Sequence, residues 1–205
     1  AVQTATAWRA GGGGIAALLC QGLAYTALER WPEAATAFEN AAQAGERAQD
    51  RRRANFWVES GNSWLAGGDP AKARRAFDTA LAANLLSPQM QGEVHLDRAR
   101  ASVAAGDVAG ARVDLDRGLA LVPADPFAWY LSAALARRQN DLALARTDID
   151  KAVTLQLYDV KHPTKLLRTT NTSPDGTYAF RGLKPGRYSV VLELSEVDVA
   201  LGGRS

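Results

Sequence analysis

The chain has 205 residues, of which 47% are hydrophobic and 22% are charged, values typical of a globular protein with one or two domains. Its 24 basic and 22 acidic residues leave a net charge of +2, which gives no reason to expect a surface for nucleic acid or an anionic membrane. No apolar run approaches the roughly 20 residues of a membrane span, and the single cysteine, Cys20, excludes an intrachain disulfide.

The first 14 residues predict an arm that stands apart from the folded core. The segment AVQTATAW (1–8) alternates apolar and polar residues, as a short β-strand does. The glycine run at 11–14 fits G-x-G-x-x-A, but a nucleotide-binding loop needs a buried strand before it and a βαβ unit around it. We therefore interpret 11–14 as a flexible hinge and 1–14 as a flexible or strand-donating arm.

From about residue 15 to residue 155 the sequence is rich in alanine and repeats itself. The segments GLAYTALERWPEAATAFENAA (22–42) and GNSWLAGGDPAKARRAFDTAL (61–81) share a glycine, an aromatic residue three positions later, and then the spacing A-x3-F. Two weaker copies follow. Ala-rich sequence favours helices, and the turns AGGD, AAGD and RQND each offer a residue that tolerates positive φ and an aspartate that can cap the next helix.

This skeleton resembles the tetratricopeptide repeat, whose signature is W-x2-L-G-x2-Y followed by A-x3-F. The segments WVESGNSW (57–64) and ARRAF (73–77) carry the resemblance best. The resemblance implies four helix hairpins over about 15–155, stacked as a solenoid, in which the first helix of each hairpin lines a groove for a partner segment. The implied groove positions are Leu19, Leu23, Asn55, Val58, Asn62, Leu65, Leu96, Arg100, Tyr130, Ala134, Arg137 and Arg138.

The predicted groove is apolar in its early repeats and basic in its last one, which favours an acidic or mixed extended ligand. Asn62 matches an asparagine that some family members use to hold the terminal carboxylate of a peptide. Val58 stands where those members have a lysine, so we do not expect that specificity here.

From residue 156 onward the composition changes to Thr, Tyr, Val, Gly and Pro, which favour strands and turns. The string D-G-x-Y-x-F-x-G-L-x-P-G-x-Y-x-V (175–190) resembles the prealbumin-like β-sandwich family, which includes carboxypeptidase regulatory-like domains and B-type repeats of surface adhesins. The resemblance covers about 156–194 and lacks the first strand of that family. It implies a small, incomplete antiparallel β-sandwich over 156–205.

The predicted fold class is therefore α+β as two separate domains, with a helix that ends near residue 155 and a strand that begins near residue 156. The vacant strand position can be filled in two ways. The segment EVDVALGG (196–203) alternates correctly to fill it within the chain, and the arm 1–8 of another copy can fill it by strand donation.

The histidines predict no catalytic or metal site. With one cysteine and only two histidines, His95 and His162, the sequence argues against a zinc site or a nucleophile–histidine pair. His95 occupies the repeat position that Trp57 and Trp129 occupy elsewhere, so we interpret it as interhelical filler.

The aspartate pairs of the helical part suggest no acid–base chemistry either. Asp114 and Asp116 point apart on a helix, as do Asp148 and Asp150, and we expect all four to be solvated. We therefore predict no enzymatic activity, no cofactor and no metal.

These observations predict a non-enzymatic scaffold for protein–protein interaction that binds a partner segment in the repeat groove. The partner is expected to be a protein or peptide, including other copies of this chain, and not a nucleic acid. The β-module resemblance and the missing initiator Met favour an extracytoplasmic location, at the cell surface, in the periplasm or secreted. Two alternatives stay open: a subunit of an extracellular filament assembled by strand donation, and an accessory domain of a larger receptor or enzyme.

Overall fold

The computed structural model describes residues 1–152, 154–159, 162–171 and 188–193. In the described residues, nine helices precede three strands. The helices are α1 (Val2–Ala10), α2 (Gly14–Thr26), α3 (Trp31–Arg47), α4 (Arg53–Ala66), α5 (Pro70–Ala82), α6 (Pro88–Ala104), α7 (Val108–Leu121), α8 (Pro126–Arg138) and α9 (Leu142–Ala152). The strands are β1 (Thr154–Asp159), β2 (His162–Asn171) and β3 (Tyr188–Glu193). The chain divides into two compact units, Ala1–Val122 and Pro123–Ser205.

Helices α2 to α9 pair as four hairpins, each with a first or A helix (α2, α4, α6, α8) and a second or B helix (α3, α5, α7, α9). The turn of the second hairpin shows why the chain reverses there. Gly68 has a φ of 78°, and the Asp69 carboxylate accepts a hydrogen bond of 3.0 Å from the Lys72 amide. The third and fourth hairpins repeat this arrangement at 106–107 and 140–141, which confirms the predicted turn chemistry.

Glycine on the A helix lets the two helices of a hairpin approach closely. The ring of Phe77 on α5 is fully buried and lies where a Cβ at Gly61 on α4 would stand. The first hairpin has the same contact, because a Cβ at Gly22 would lie 2.5 Å from the Phe38 ring. The repeated glycine and phenylalanine of the sequence thus meet each other, as the hairpin prediction requires.

Two tryptophans of α4 join the first hairpin to the second. The Trp57 indole Nε1 donates to Glu46 Oε1, and the Trp64 Nε1 donates to Glu39 Oε1, both at 2.9 Å. The donors lie two turns apart on α4 and the acceptors two turns apart on α3. These paired hydrogen bonds fix how the two hairpins stack.

The segment predicted as a flexible or strand-donating arm forms helix α1, which packs against α2. The Gln21 Nε2 donates to Thr6 Oγ1 at 2.9 Å and ties the two helices together. At Gly13 an added Cβ would lie 2.7 Å from the Trp8 indole, so glycine lets this tryptophan fold over the turn. Ala5 is buried, and with Trp8 it follows a helical spacing. The strand prediction for this segment is therefore wrong.

The three strands form one antiparallel sheet in the order β2-β1-β3. Leu155 of β1 pairs with Leu192 of β3, and Leu157 pairs with Val190. A sandwich needs two sheets whose faces pack together, and the described residues hold only this one. The prediction of a β-sandwich, and with it the α+β fold class of two separate domains, is therefore wrong. The fold is a helical repeat solenoid, and α9 gives way to β1 slightly before the predicted switch.

Parts of the β prediction lie outside the described residues, namely the turn-rich stretch 172–187 and the candidate completing segment 196–203. None of the helices in the described ranges is both long enough and apolar enough to cross a membrane.

Candidate partner-binding surface

Each A helix of the first unit leaves one row of side chains open to solvent. On α4 the row contains Asn55, Glu59 and Asn62, which are exposed, whereas the residues beside them are buried or half-buried. Spacings of four and three residues place them on one side of the helix. The helices α2 and α6 expose, wholly or in part, the equivalent positions of their repeats. We call this set the A-helix stripe: Ala16, Cys20 and Leu23 on α2, Asn55, Glu59 and Asn62 on α4, and Glu93, Asp97 and Arg100 on α6.

The chemistry of the A-helix stripe changes along the first unit. Its α2 part is apolar, and its α4 and α6 parts are polar and charged. The carboxylates Glu59, Glu93 and Asp97 outnumber the one guanidinium, Arg100, whose Nη1 lies 3.0 Å from Asp97 Oδ1. The stripe is therefore apolar at one end and net negative at the other, an acidic character that the groove residues predicted from the sequence do not have.

Two of these carboxylates are incompletely solvated. Although Glu59 is exposed as a residue, nearby protein atoms partly desolvate its carboxylate and raise its pKa, and among the described residues no hydrogen bond or ion pair engages that carboxylate. Burial also raises the pKa of Asp97, against the opposing effect of Arg100. A carboxylate that has lost water gains most from a nearby cation, so this end of the stripe favours a basic group.

A cleft between α1 and α2 adjoins the apolar end of the stripe. Leu23 is 60% exposed and Trp8 is 48% exposed, high values for large apolar side chains. Cys20 and Leu23 belong both to the cleft and to the stripe, so the two surfaces are continuous. The cleft is lined by Ala1, Thr4, Ala5, Trp8, Cys20, Leu23 and Ala24.

Only some of the groove residues predicted on α4 and α6 lie on the A-helix stripe. Asn55 and Asn62 are exposed on the stripe, and Arg100 is half-exposed there beside its ion-pair partner. Val58 and Leu65 are half-buried and pack against the buried cluster that contains Trp64 and Phe77, so they flank the stripe and do not stand on it.

Leu96, a predicted groove residue, is only 3% exposed, so this prediction is wrong. The reason is a glycine on the facing B helix, because a Cβ at Gly118 would lie 2.5 Å from Leu96 Cδ2. The equivalent B-helix residues of the earlier repeats are Ala41 and Ala80, and the side chains that correspond to Leu96 on α2 and α4 stay half-buried. The missing methyl group at 118 makes the room that Leu96 fills.

The second unit carries the remaining predicted positions. Tyr130 and Ala134 are half-buried on α8, and Arg137 and Arg138 are exposed in its last turn. Cations there also stabilise the negative end of the helix dipole, so the basic groups have a structural role whether or not a partner binds. Their part in a groove stays a prediction.

Two aspartates that the sequence predicts to be solvated are buried between helices. Asp114 is 5% exposed, accepts from Arg98 Nε at 2.9 Å, and lies 3.0 Å from His95 Nδ1. Burial by itself raises the pKa of Asp114, but the hydrogen bonds of His95 and Arg98 lower it to about 2. One repeat later, Asp148 is 2% exposed and accepts from Ser132 Oγ. Both aspartates join an A helix to its B helix, which is a structural role.

No group of three or more metal-ligating side chains comes together anywhere in the part of the chain that the structure describes.

A sequence model of the tetratricopeptide repeat family matches the chain over three overlapping stretches, 19–88, 58–126 and 96–159. These stretches together cover more than half of the sequence. The chain belongs to the tetratricopeptide repeat family. Its repeats are similar to those in the crystal structure of MamA, with a TM-score of 0.61 and 14% identity over 72% of this chain and 81% of that one. At this identity the likeness shows the shared fold alone. No curated protein matches the sequence.

Proposed function

We propose that this tetratricopeptide repeat protein is a non-enzymatic scaffold that binds a segment of a protein partner along the A-helix stripe of α2, α4 and α6. Repeats of this family are generally interaction modules without catalytic activity. The observation that supports the proposal is the recurrence of wholly or partly exposed side chains at equivalent positions of three consecutive hairpins, between neighbours that are buried or half-buried. A continuous exposed row offers one extended segment a contact with every repeat.

A random peptide library displayed on phage tests this proposal, because it samples many candidate segments at once and does not require an identified partner. Peptides selected on the immobilised chain are measured for affinity against the unaltered chain and against Asn62→Arg, which places a long cation in the middle of the stripe. The matched control is Gln43→Arg, because Gln43 is exposed on the B helix α3, away from the stripe. Circular dichroism shows whether both variants keep their helices.

We expect selected peptides to bind the unaltered chain and Gln43→Arg alike and to lose most of their affinity for Asn62→Arg. Selection that enriches no peptide, or peptides that tolerate Asn62→Arg as well as Gln43→Arg, would count against the stripe as the binding surface.

The filament alternative requires residues 1–8 as a donated β-strand, but this segment belongs to helix α1 and packs on α2. Light scattering at high concentration still decides whether copies of the chain associate by another route. The predicted extracytoplasmic location is kept as a proposal, and fractionation of cells that make the full-length gene product tests it.

A further inference from the structure

We infer that the partner segment presents a bulky apolar side chain to the cleft between α1 and α2 and a lysine or arginine to the acidic part of the A-helix stripe. This inference rests on the proposed function, since it names the chemistry of the segment that the stripe binds.

The apolar half of the inference follows from the cleft. Leu23 and Trp8 expose 60% and 48% of their surface in the cleft lining, to which Ala5 and Ala24 contribute small apolar side chains. Removing such apolar surface from water favours association. The Trp8 indole lies over Gly13, where a side chain larger than hydrogen would displace it.

The cationic half follows from the carboxylates beyond the cleft. Glu59 has a raised pKa because of partial burial, and no described cation pairs with it. Asp97 occupies the same position one repeat later, where Arg100 is its counter-ion among the described residues, and Glu93 adds a further negative charge. An acidic segment would be repelled here, whereas a lysine or arginine would supply the missing cation.

The spacing between the two side chains follows from the helices that bind them. Leu18 of α2 and Phe56 of α4 belong to one buried cluster together with Ala41 and Ala42 of α3, so the two A helices border the same part of the core. Packed helices lie about 8–10 Å apart, and an extended chain advances about 3.3 Å per residue. A bulky apolar residue and a basic residue about three positions apart therefore reach α2 and α4 together.

Three labelled peptides test the inference by fluorescence polarisation at low salt. The first is a blocked glycine–serine peptide that carries phenylalanine and, three positions away, arginine. The second has alanine in place of the phenylalanine, and the third has glutamate in place of the arginine. We expect the first peptide to bind at least about fivefold tighter than either of the others, because each lacks one of the two contacts.

A charge reversal on the protein separates recognition from folding. Glu59→Arg should lower the affinity for the arginine peptide by about fivefold or more and raise the affinity for the glutamate peptide, so that the chain prefers glutamate over arginine. Gln43→Arg places the same arginine side chain on α3, and it should leave both affinities within about twofold because exposed charges are screened over such distances. A variant that merely lost structure would weaken both peptides and could not invert the preference.

The outcomes distinguish this inference from the proposed function. If library-selected peptides bind the stripe but carry acidic residues, or if Glu59→Arg does not change the preference, the inference is overturned and the proposed function stands. Failure of all three designed peptides to bind also overturns it. If no library peptide is sensitive to Asn62→Arg, the proposed function fails and the inference fails with it.

Discussion

Replacing Gly61 with alanine should destabilise the second hairpin, although alanine is the better helix former. The added Cβ would overlap three atoms of the Phe77 ring, and that ring is fully buried and cannot turn into solvent. Overpacking of a core costs about 1–3 kcal/mol, whereas alanine gains about 1 kcal/mol over glycine inside a helix. The free energy of unfolding should therefore fall by up to about 2 kcal/mol.

A double-mutant cycle with Phe77→Leu isolates the contact. Leucine is smaller than phenylalanine and leaves room for the new methyl group, so the double variant should lose about 1 kcal/mol less than the sum of the single losses. Urea unfolding followed by circular dichroism gives the four free energies. Asn62→Ala is the matched control, because it changes the next residue of the same helix at an exposed position and should stabilise the chain slightly through helix propensity.

The reasoning would be refuted if the double variant lost as much free energy of unfolding as the two single variants together. A Gly61→Ala chain that is stabilised as much as Asn62→Ala would also refute it, because either result would mean that α4 and α5 do not meet at Gly61.

Three further predictions concern stability and activity. Asp114 has a pKa of about 2 in the folded chain and about 3.9 when unfolded, so its stabilisation of roughly 2 kcal/mol is present above pH 4 and is lost as the pH falls toward 2. Urea unfolding at pH 7 and pH 2.5 should show a smaller pH-dependent loss for Asp114→Asn, and an equal loss would contradict the ion pairing. Asp69→Ala removes the cap of α5 and should lower the free energy of unfolding by about 1 kcal/mol; an unchanged urea midpoint would show that the cap contributes nothing. We expect no turnover by the purified chain, and a hydrolase or transferase activity abolished by changing one polar residue would contradict this.

The features that sequence predicts well here are those set by neighbours in the chain. Glycine followed by aspartate specifies a turn and a helix cap by itself, and the structure has both at Gly68 and Asp69. The recurring Gly61 and Phe77 likewise predict one contact within one hairpin. Such signals depend only on residues within a hairpin and not on how separate hairpins stack.

The features that could not be predicted from the sequence depend on contacts with residues of a facing helix. The position of Asp114 is alanine in the first two repeats, and only its partner Arg98 on α6 shows why an aspartate is stable there. Leu96 lies in the core because the opposing residue is Gly118. Pairing each A-helix position with its B-helix counterpart reveals both contacts.

Ala5 and Trp8 also have a helical spacing, but the alternation of apolar and polar residues in the same segment favours a strand equally well.

The acidic character of the stripe is hidden in the sequence for a related reason. The family resemblance points to Asn55, Val58 and Asn62, and it gives Glu59 no role between them. The helical spacing places Glu59 on the same side as Asn55 and Asn62, but only the exposure pattern of α4 shows that this side is open to solvent while Val58 packs against the core.

The central claim, that a partner segment covers the A-helix stripe, is tested most directly at Cys20. This residue is the sole cysteine of the chain, is exposed, and belongs to both the stripe and the cleft. The rate at which Cys20 reacts with a thiol reagent is measured with and without a saturating library-selected peptide. We expect the bound peptide to slow the reaction several-fold in the unaltered chain and to leave the rate unchanged in Asn62→Arg. An unchanged rate in the unaltered chain at saturation, or equal protection in Asn62→Arg, would contradict the claim.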